Sequence, residues 1–160
     1  MSWTRPDYEL LIRQMKALSE ISRDGTALLA NASALLYEAL GGVNWVGFYL
    51  VRETEPGHEA LIVGPFQGRP ACVRIEKGRG VCGTCWAEES TQVVPDVHEF
   101  PGHIACDSAS NSEIVIPLRR PDGQVYGVLD IDSPEFDRFS GEDACGLEAF
   151  AAALDGIING

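Results

Sequence analysis

Apolar and polar residues alternate with a helical period at both ends of the chain and with a strand period between them. Over residues 6–22, Tyr8, Leu11, Ile12, Met15, Leu18 and Ile21 recur three or one apart, which marks one face of an amphipathic helix. A second helix carries Leu28, Leu29, Ala32, Leu35, Leu36 and Ala39 on its apolar side, and Gly41-Gly42 stops it. The period then changes. VNWVGFYLV (43–51) is rich in β-branched and aromatic residues and predicts a strand apolar on both faces. Val43, Trp45, Gly47 and Tyr49 point one way, and Val46, Phe48 and Leu50 the other.

EALIVGPF (59–66) and ACVRIE (71–76) predict the next two strands, each bounded by Gly or Pro turns. A glycine loop, KGRGVCG, leads into a short helix at about 83–89, and Thr91 to Pro95 form a brief strand. EIVIPLRR (113–120) and QVYGVLDID (124–132) make a hairpin through Pro121-Asp122-Gly123, since Pro pre-sets the turn and Gly accepts positive φ. Ser140, followed by Glu142 and Asp143, caps a last helix whose core face is Leu147, Phe150, Ala151, Leu154, Ile157 and Ile158. This order predicts an α+β fold, a central, mostly antiparallel sheet flanked by N- and C-terminal helices. The 160 residues contain no internal repeat or linker and are expected to form one domain over 1–160.

Charge narrows the partners. With 24 acidic against 12 basic residues the net charge is −12, which excludes the basic footprint that nucleic acid or an anionic membrane requires. No apolar run reaches signal-peptide or membrane-span length, so the expected compartment is the cytoplasm. Five cysteines there do not read as a structural disulfide framework.

Four of those cysteines and two of the three histidines fall within residues 72–113, a stretch rich in Gly and Ser that suits a binding or catalytic loop system better than packing. Cys82, Cys85, His98 and His103 match the C-x2-C-x12-H-x4-H spacing of a small zinc finger. Glu89 and Pro95 replace its apolar anchors and Pro101 interrupts its helix, so no metal site is expected. Cys82-Gly-Thr-Cys85 resembles a dithiol motif but follows two helices and three strands, not an early strand of a βαβ unit. Burial is the expected fate of Cys85 and of Cys145.

Cys106 differs: flanked by small polar residues in GHIACDSASNSE, it is a candidate nucleophile, and His103 is a possible activating neighbour or a plain turn residue. Asp130 and Asp132, two apart on a strand, leave the same face, either as solvated strand-end acids or as a site for a cation or a shared proton. Trp45 and Tyr49 share a face too, suited to core packing or to the wall of a pocket.

WVGFYLV, GPFQGRPACVRI, GRGVCGT, VPDVHEFPGHIACDSASNSEIVIPL and GVLDIDSP together resemble the free methionine-(R)-sulfoxide reductases, stand-alone enzymes of the GAF fold. The resemblance covers residues 25 to 158. It implies that Cys106 attacks the sulfoxide sulfur, that Cys72 or Cys82 resolves the sulfenic acid as a disulfide, and that Glu113, Asp130 and Asp132 line the substrate site. It also implies that Trp45 and Tyr49 form the aromatic wall near the substrate methyl group. Cys85 departs from the family pattern, where a small apolar residue is usual, and offers Cys82 a second pairing. Thioredoxin is the implied reductant, no cofactor is needed, and a homodimer through the N-terminal helices is the implied assembly. The competing expectation is a non-enzymatic GAF module that binds a small ligand or senses redox state, although such modules usually stand beside an output domain.

Overall fold

The computed structural model describes residues 3–103 and 109–160. Two helices open the chain, α1 (Tyr8–Ile21) and α2 (Gly25–Ala39). Asp7 and Asp24 cap them, each side chain accepting a backbone N–H of the first turn. Strands β1 (Trp45–Glu55), β2 (His58–Gly68) and β3 (Arg74–Ile75) follow. Helix α3 (Gly80–Glu88), β4 (Gln92–Val94) and a single 3-10 turn (Val97–Glu99) lead to β5 (Ser112–Arg119), β6 (Val125–Ser133) and α4 (Gly141–Ile158). Ser140 and Asp143 make a reciprocal capping box at the start of α4.

The six strands form one sheet in the order β3-β2-β1-β6-β5-β4, antiparallel at every pairing. Its two faces do different work. Val46, Phe48, Ile114, Ile116, Leu129 and Ile131 point toward the helices and join Met15, Leu36, Leu147, Phe150 and Leu154 in the main core. Each such fully buried side chain contributes roughly 1.5–3 kcal/mol. The opposite face carries Trp45, Tyr49, Val115 and Val128, covered by Val81, Cys85 and Trp86 of α3. This second cluster is smaller.

The predicted order of elements and the flanked antiparallel sheet match the structure, with local differences. Strand β1 starts at Trp45, and Val43 packs with the helix-side core instead of beside Trp45. The cause is the turn at Gly42, whose φ of 70° reverses the chain before the strand begins. Strand β3 is only two residues long. Helix α3 begins at Gly80, three residues earlier than expected, because the glycine loop folds back on the helix: Gly78 N–H donates to Gly83 O at 2.9 Å. A Cβ on Gly83 would lie 2.5 Å from Glu76 O, so only glycine closes that loop. Cys145, expected to be buried, is exposed. The core stripe of α4 runs through Ala144, Leu147, Ala151 and Leu154, which turns the next residue about 100° away from it. Ile21, assigned to the apolar face of α1, is 85% exposed at its end.

Candidate active site

Strand register assembles the site. Trp45 of β1 lies opposite Asp132 of β6, which lies opposite Glu113 of β5. One row along, Gly47 faces Asp130, which faces Val115. Side chains two apart leave a strand on the same side, so the acids Glu113, Asp130 and Asp132 project together, on the face away from the three packed helices. Gly47 makes room beside them. A Cβ there would stand 2.2 Å from Phe66 Cβ and 2.7 Å from the Trp45 ring, so no other residue fits.

Trp45, Tyr49, Cys82, Glu113, Asp130 and Asp132 all line one cleft, roofed by the start of α3 and by the segments at 70–71, 103 and 110. The aromatic side is rigid. The Trp45 ring stacks on Phe66 at 5.1 Å and on Tyr49 at 5.8 Å, Trp45 Nε1 donates to Arg69 O, and the Tyr49 hydroxyl donates to Cys72 O, each at 3.1 Å. Burial of Tyr49 and the nearby negative charge of Asp130 raise its hydroxyl pKa, so it stays a neutral donor.

The acidic side is held under electrostatic tension. Glu113 and Asp130 are only 6% and 5% exposed. Burial, the charges of Asp130 and Asp132, and hydrogen bonds to both of them drive the Glu113 pKa well above the usual carboxylate range. Burial also raises Asp130, against hydrogen bonds from Glu113, Cys82 and Asp132 that favour its charged form. Glu113 is thus the member whose charged form burial and its two acidic neighbours together disfavour. Cys82, in the first turn of α3, donates its thiol to Glu113 Oε2 at 3.9 Å. Its pKa is raised, first by burial and then by Asp130, Glu113 and Asp132, which keeps it a thiol.

The structure does not gather every candidate. Cys106 lies outside the described residues. Cys72 is half-buried between β2 and β3, next to Ala71 of the cleft wall, and is disulfide-bonded, whereas Cys82, Cys85 and Cys145 are free thiols. Cys85 is buried and donates to Val115 O at 3.7 Å. His103 lines the cleft, and partial burial lowers its pKa, so it is a neutral imidazole there. His98 instead pairs with Asp96 at 2.8 Å, exposed, and among the described residues no group of close metal-ligating atoms includes either histidine.

Two polar lining residues escaped the sequence reading. Arg79, in the loop before α3, is exposed at the cleft. Buried Ser110 accepts a hydrogen bond from Asn44 Nδ2 at 3.2 Å. Only their place in the Gly-rich and Ser-rich loops signalled them.

The GAF domain family matches residues 24–156. Protein YtsP of Bacillus subtilis is 55% identical over 93% of this chain and 89% of its own length. The free methionine-R-sulfoxide reductase of Escherichia coli is 52% identical over 94% of this chain and 88% of its own. The chain belongs to the free methionine-R-sulfoxide reductase family of GAF proteins. The fRMsr of Staphylococcus aureus, solved in complex with its substrate, superposes with a TM-score of 0.89 at 47% identity, covering 99% of both chains. In this family member the cleft therefore sits on a frame shared along its whole length with a substrate-binding relative.

Proposed function

We propose that this protein reduces free L-methionine (R)-S-oxide to L-methionine, with Cys106 as nucleophile and thioredoxin as the final reductant. The observation that carries the reading is the buried, proton-holding acid cluster facing an aromatic wall. It supplies an acid for the sulfoxide oxygen and an apolar seat for the methyl group at opposite sides of one cleft. The 52% identity to a free methionine-R-sulfoxide reductase and the structural match to a substrate complex support the same substrate class.

The Cys106 thiolate attacks the sulfoxide sulfur while Glu113 gives its proton to the oxygen. The protonated oxygen then passes from the substrate sulfur to Cys106: the substrate S–O bond and the newly formed S–S bond break, an S–O bond forms at Cys106 as a sulfenic acid, and methionine leaves as the thioether with the two electrons that Cys106 gives up. A second thiol attacks that sulfur, water leaves and a disulfide forms. Thioredoxin, a strongly reducing cytoplasmic dithiol, restores both cysteines by exchange. Cys72 is the better first resolver. It is disulfide-bonded in this structure, whereas Cys82 is held as a buried thiol among carboxylates and makes a poor attacking group. Asp130 and Asp132, with their negative charge, suit the substrate ammonium. Arg79 and the N–H groups at the start of α3 suit its carboxylate.

The test compares initial rates, coupled through thioredoxin to NADPH oxidation, on separated epimers of free and of N-acetylated, C-amidated methionine sulfoxide. Blocking removes both charges and adds chain at each end, so kcat/KM is expected to fall at least tenfold, about 1.4 kcal/mol. Equal rates on the blocked substrate, or a preference for the S epimer, would overturn the assignment. A signalling GAF module would show no turnover at all. Exposed Leu10, Ile21 and Tyr37 on α1 and α2 support a homodimer through these helices. Light scattering at micromolar concentration is expected to give twice the chain mass; the monomer mass would exclude that assembly.

A further inference from the structure

Cys82, Glu113 and Asp130 place one sulfur and two carboxylate oxygens within 4.8 Å of one another, all from buried residues on three packed elements. Asp130 Oδ1 is buried and has no hydrogen-bond partner among the described residues, an acceptor left without a donor. The free thiol of Cys82 stands 3.9 Å from Glu113 Oε2. Around a tetrahedral zinc ion, with bonds of about 2.3 Å to sulfur and 2.0 Å to oxygen, the two donor atoms sit about 3.5 Å apart. The Cys82–Glu113 pair thus needs to close by only a few tenths of an ångström.

We infer that the reduced protein captures a zinc-type divalent cation between Cys82 Sγ, Glu113 and Asp130, in competition with its substrate. The competition clause rests on the proposed substrate; the capture does not. On binding, the Cys82 S–H bond breaks and Glu113 gives up the proton it holds; both protons pass to solvent while the S–metal and carboxylate–metal bonds form, with no change of oxidation state. Three protein ligands leave a fourth position for water, and Asp132 adds negative charge beside the site. One thiolate with two carboxylates suits zinc. It does not suit magnesium, which demands six oxygens in octahedral geometry. Cys85 takes no part, since its thiol is committed to Val115 O, and the site is therefore not a paired-cysteine centre.

The test uses the full chain, reduced and metal-free, titrated with zinc against a chromophoric chelator in the absence of substrate. One equivalent is expected to bind, at least tenfold more weakly in Cys82→Ser and in Asp130→Asn, and within threefold of wild type in Cys85→Ser and Cys106→Ser. Cobalt in place of zinc is expected to give a near-ultraviolet sulfur-to-metal band in wild type and in Cys106→Ser. Retained affinity in Cys82→Ser or Asp130→Asn, a tenfold loss in Cys85→Ser or Cys106→Ser, or no such band in wild type would overturn the site. Should the serine variant misfold, Asp130→Asn and the wild-type cobalt spectrum still decide. Free methionine sulfoxide is expected to raise the apparent zinc Kd, and an unchanged Kd would overturn the competition. Capture without any turnover would sink the proposed reductase activity and leave this site standing.

Discussion

Cys106→Ser is expected to lower turnover of free methionine sulfoxide at least a thousandfold, about 4 kcal/mol in barrier, with an unchanged unfolding midpoint. Attack at sulfur needs a soft, polarisable anion, and a serine hydroxyl supplies neither softness nor an accessible anion at neutral pH. Cys82 cannot substitute for it. Among the described residues that thiol is the cysteine closest to the acids, but burial and the three neighbouring acidic groups hold its proton in place. The two cysteines are therefore expected to separate in single-turnover experiments without thioredoxin. Cys82→Ser is expected to release one equivalent of methionine, and Cys106→Ser none. Cys145→Ser, on the exposed side of α4, is expected to stay within twofold of wild type. Substantial methionine release by Cys106→Ser would overturn the mechanism.

Residues 43–51 show how far local pattern reaches. Their β-branched and aromatic content predicts a strand, and alternation assigns Trp45, Gly47 and Tyr49 to one face, as the structure has them. What alternation cannot supply is register. That Asp132 stands between Trp45 and Glu113 follows from how β6 slides between β1 and β5, a pairing between residues 87 apart in one direction and 19 in the other. The acids were legible as a group only through resemblance to a family, because Glu113 shares no local period with Asp130 or Asp132.

Glycine hid the rest. Helix α3 starts inside KGRGVCG, where low helix propensity argues for loop, yet packing on β5 and β6 and the closure at Gly83 override it. Starting the helix at Gly80 is what sets Cys82 in its first turn, over the acids, and brings Arg79 to the cleft. Cys145 failed for the opposite reason. A small apolar residue on an amphipathic helix is expected inside, but one step from the core stripe suffices to expose it.

Glu113→Gln is expected to lower turnover about a hundredfold and, at pH 8, to make the protein more stable than wild type. The two effects have one cause. Glu113 is buried beside Asp130 and Asp132, and this raises its folded pKa above the unfolded value of about 4.3. The folded state therefore holds this proton more tightly than the unfolded chain does. Its contribution to stability is fully present below about pH 4, declines as the unfolded carboxylate ionises, and is lost by the folded pKa. An amide keeps the shape and a donor but has no proton to lose, so its advantage over wild type grows from pH 4 upward. On the order of 1 kcal/mol at pH 8, or a few degrees in Tm, is expected from this term. The same amide cannot give a proton to the sulfoxide oxygen, and loss of a positioned general acid typically costs 10²- to 10⁴-fold, so about a hundredfold is the low end. Thermal unfolding at pH 4 and pH 8, with kcat/KM measured at pH 7, checks both halves. A variant that loses stability at pH 8 would show that Glu113 is ionised in the fold, and the acid would have to be sought elsewhere in the cleft.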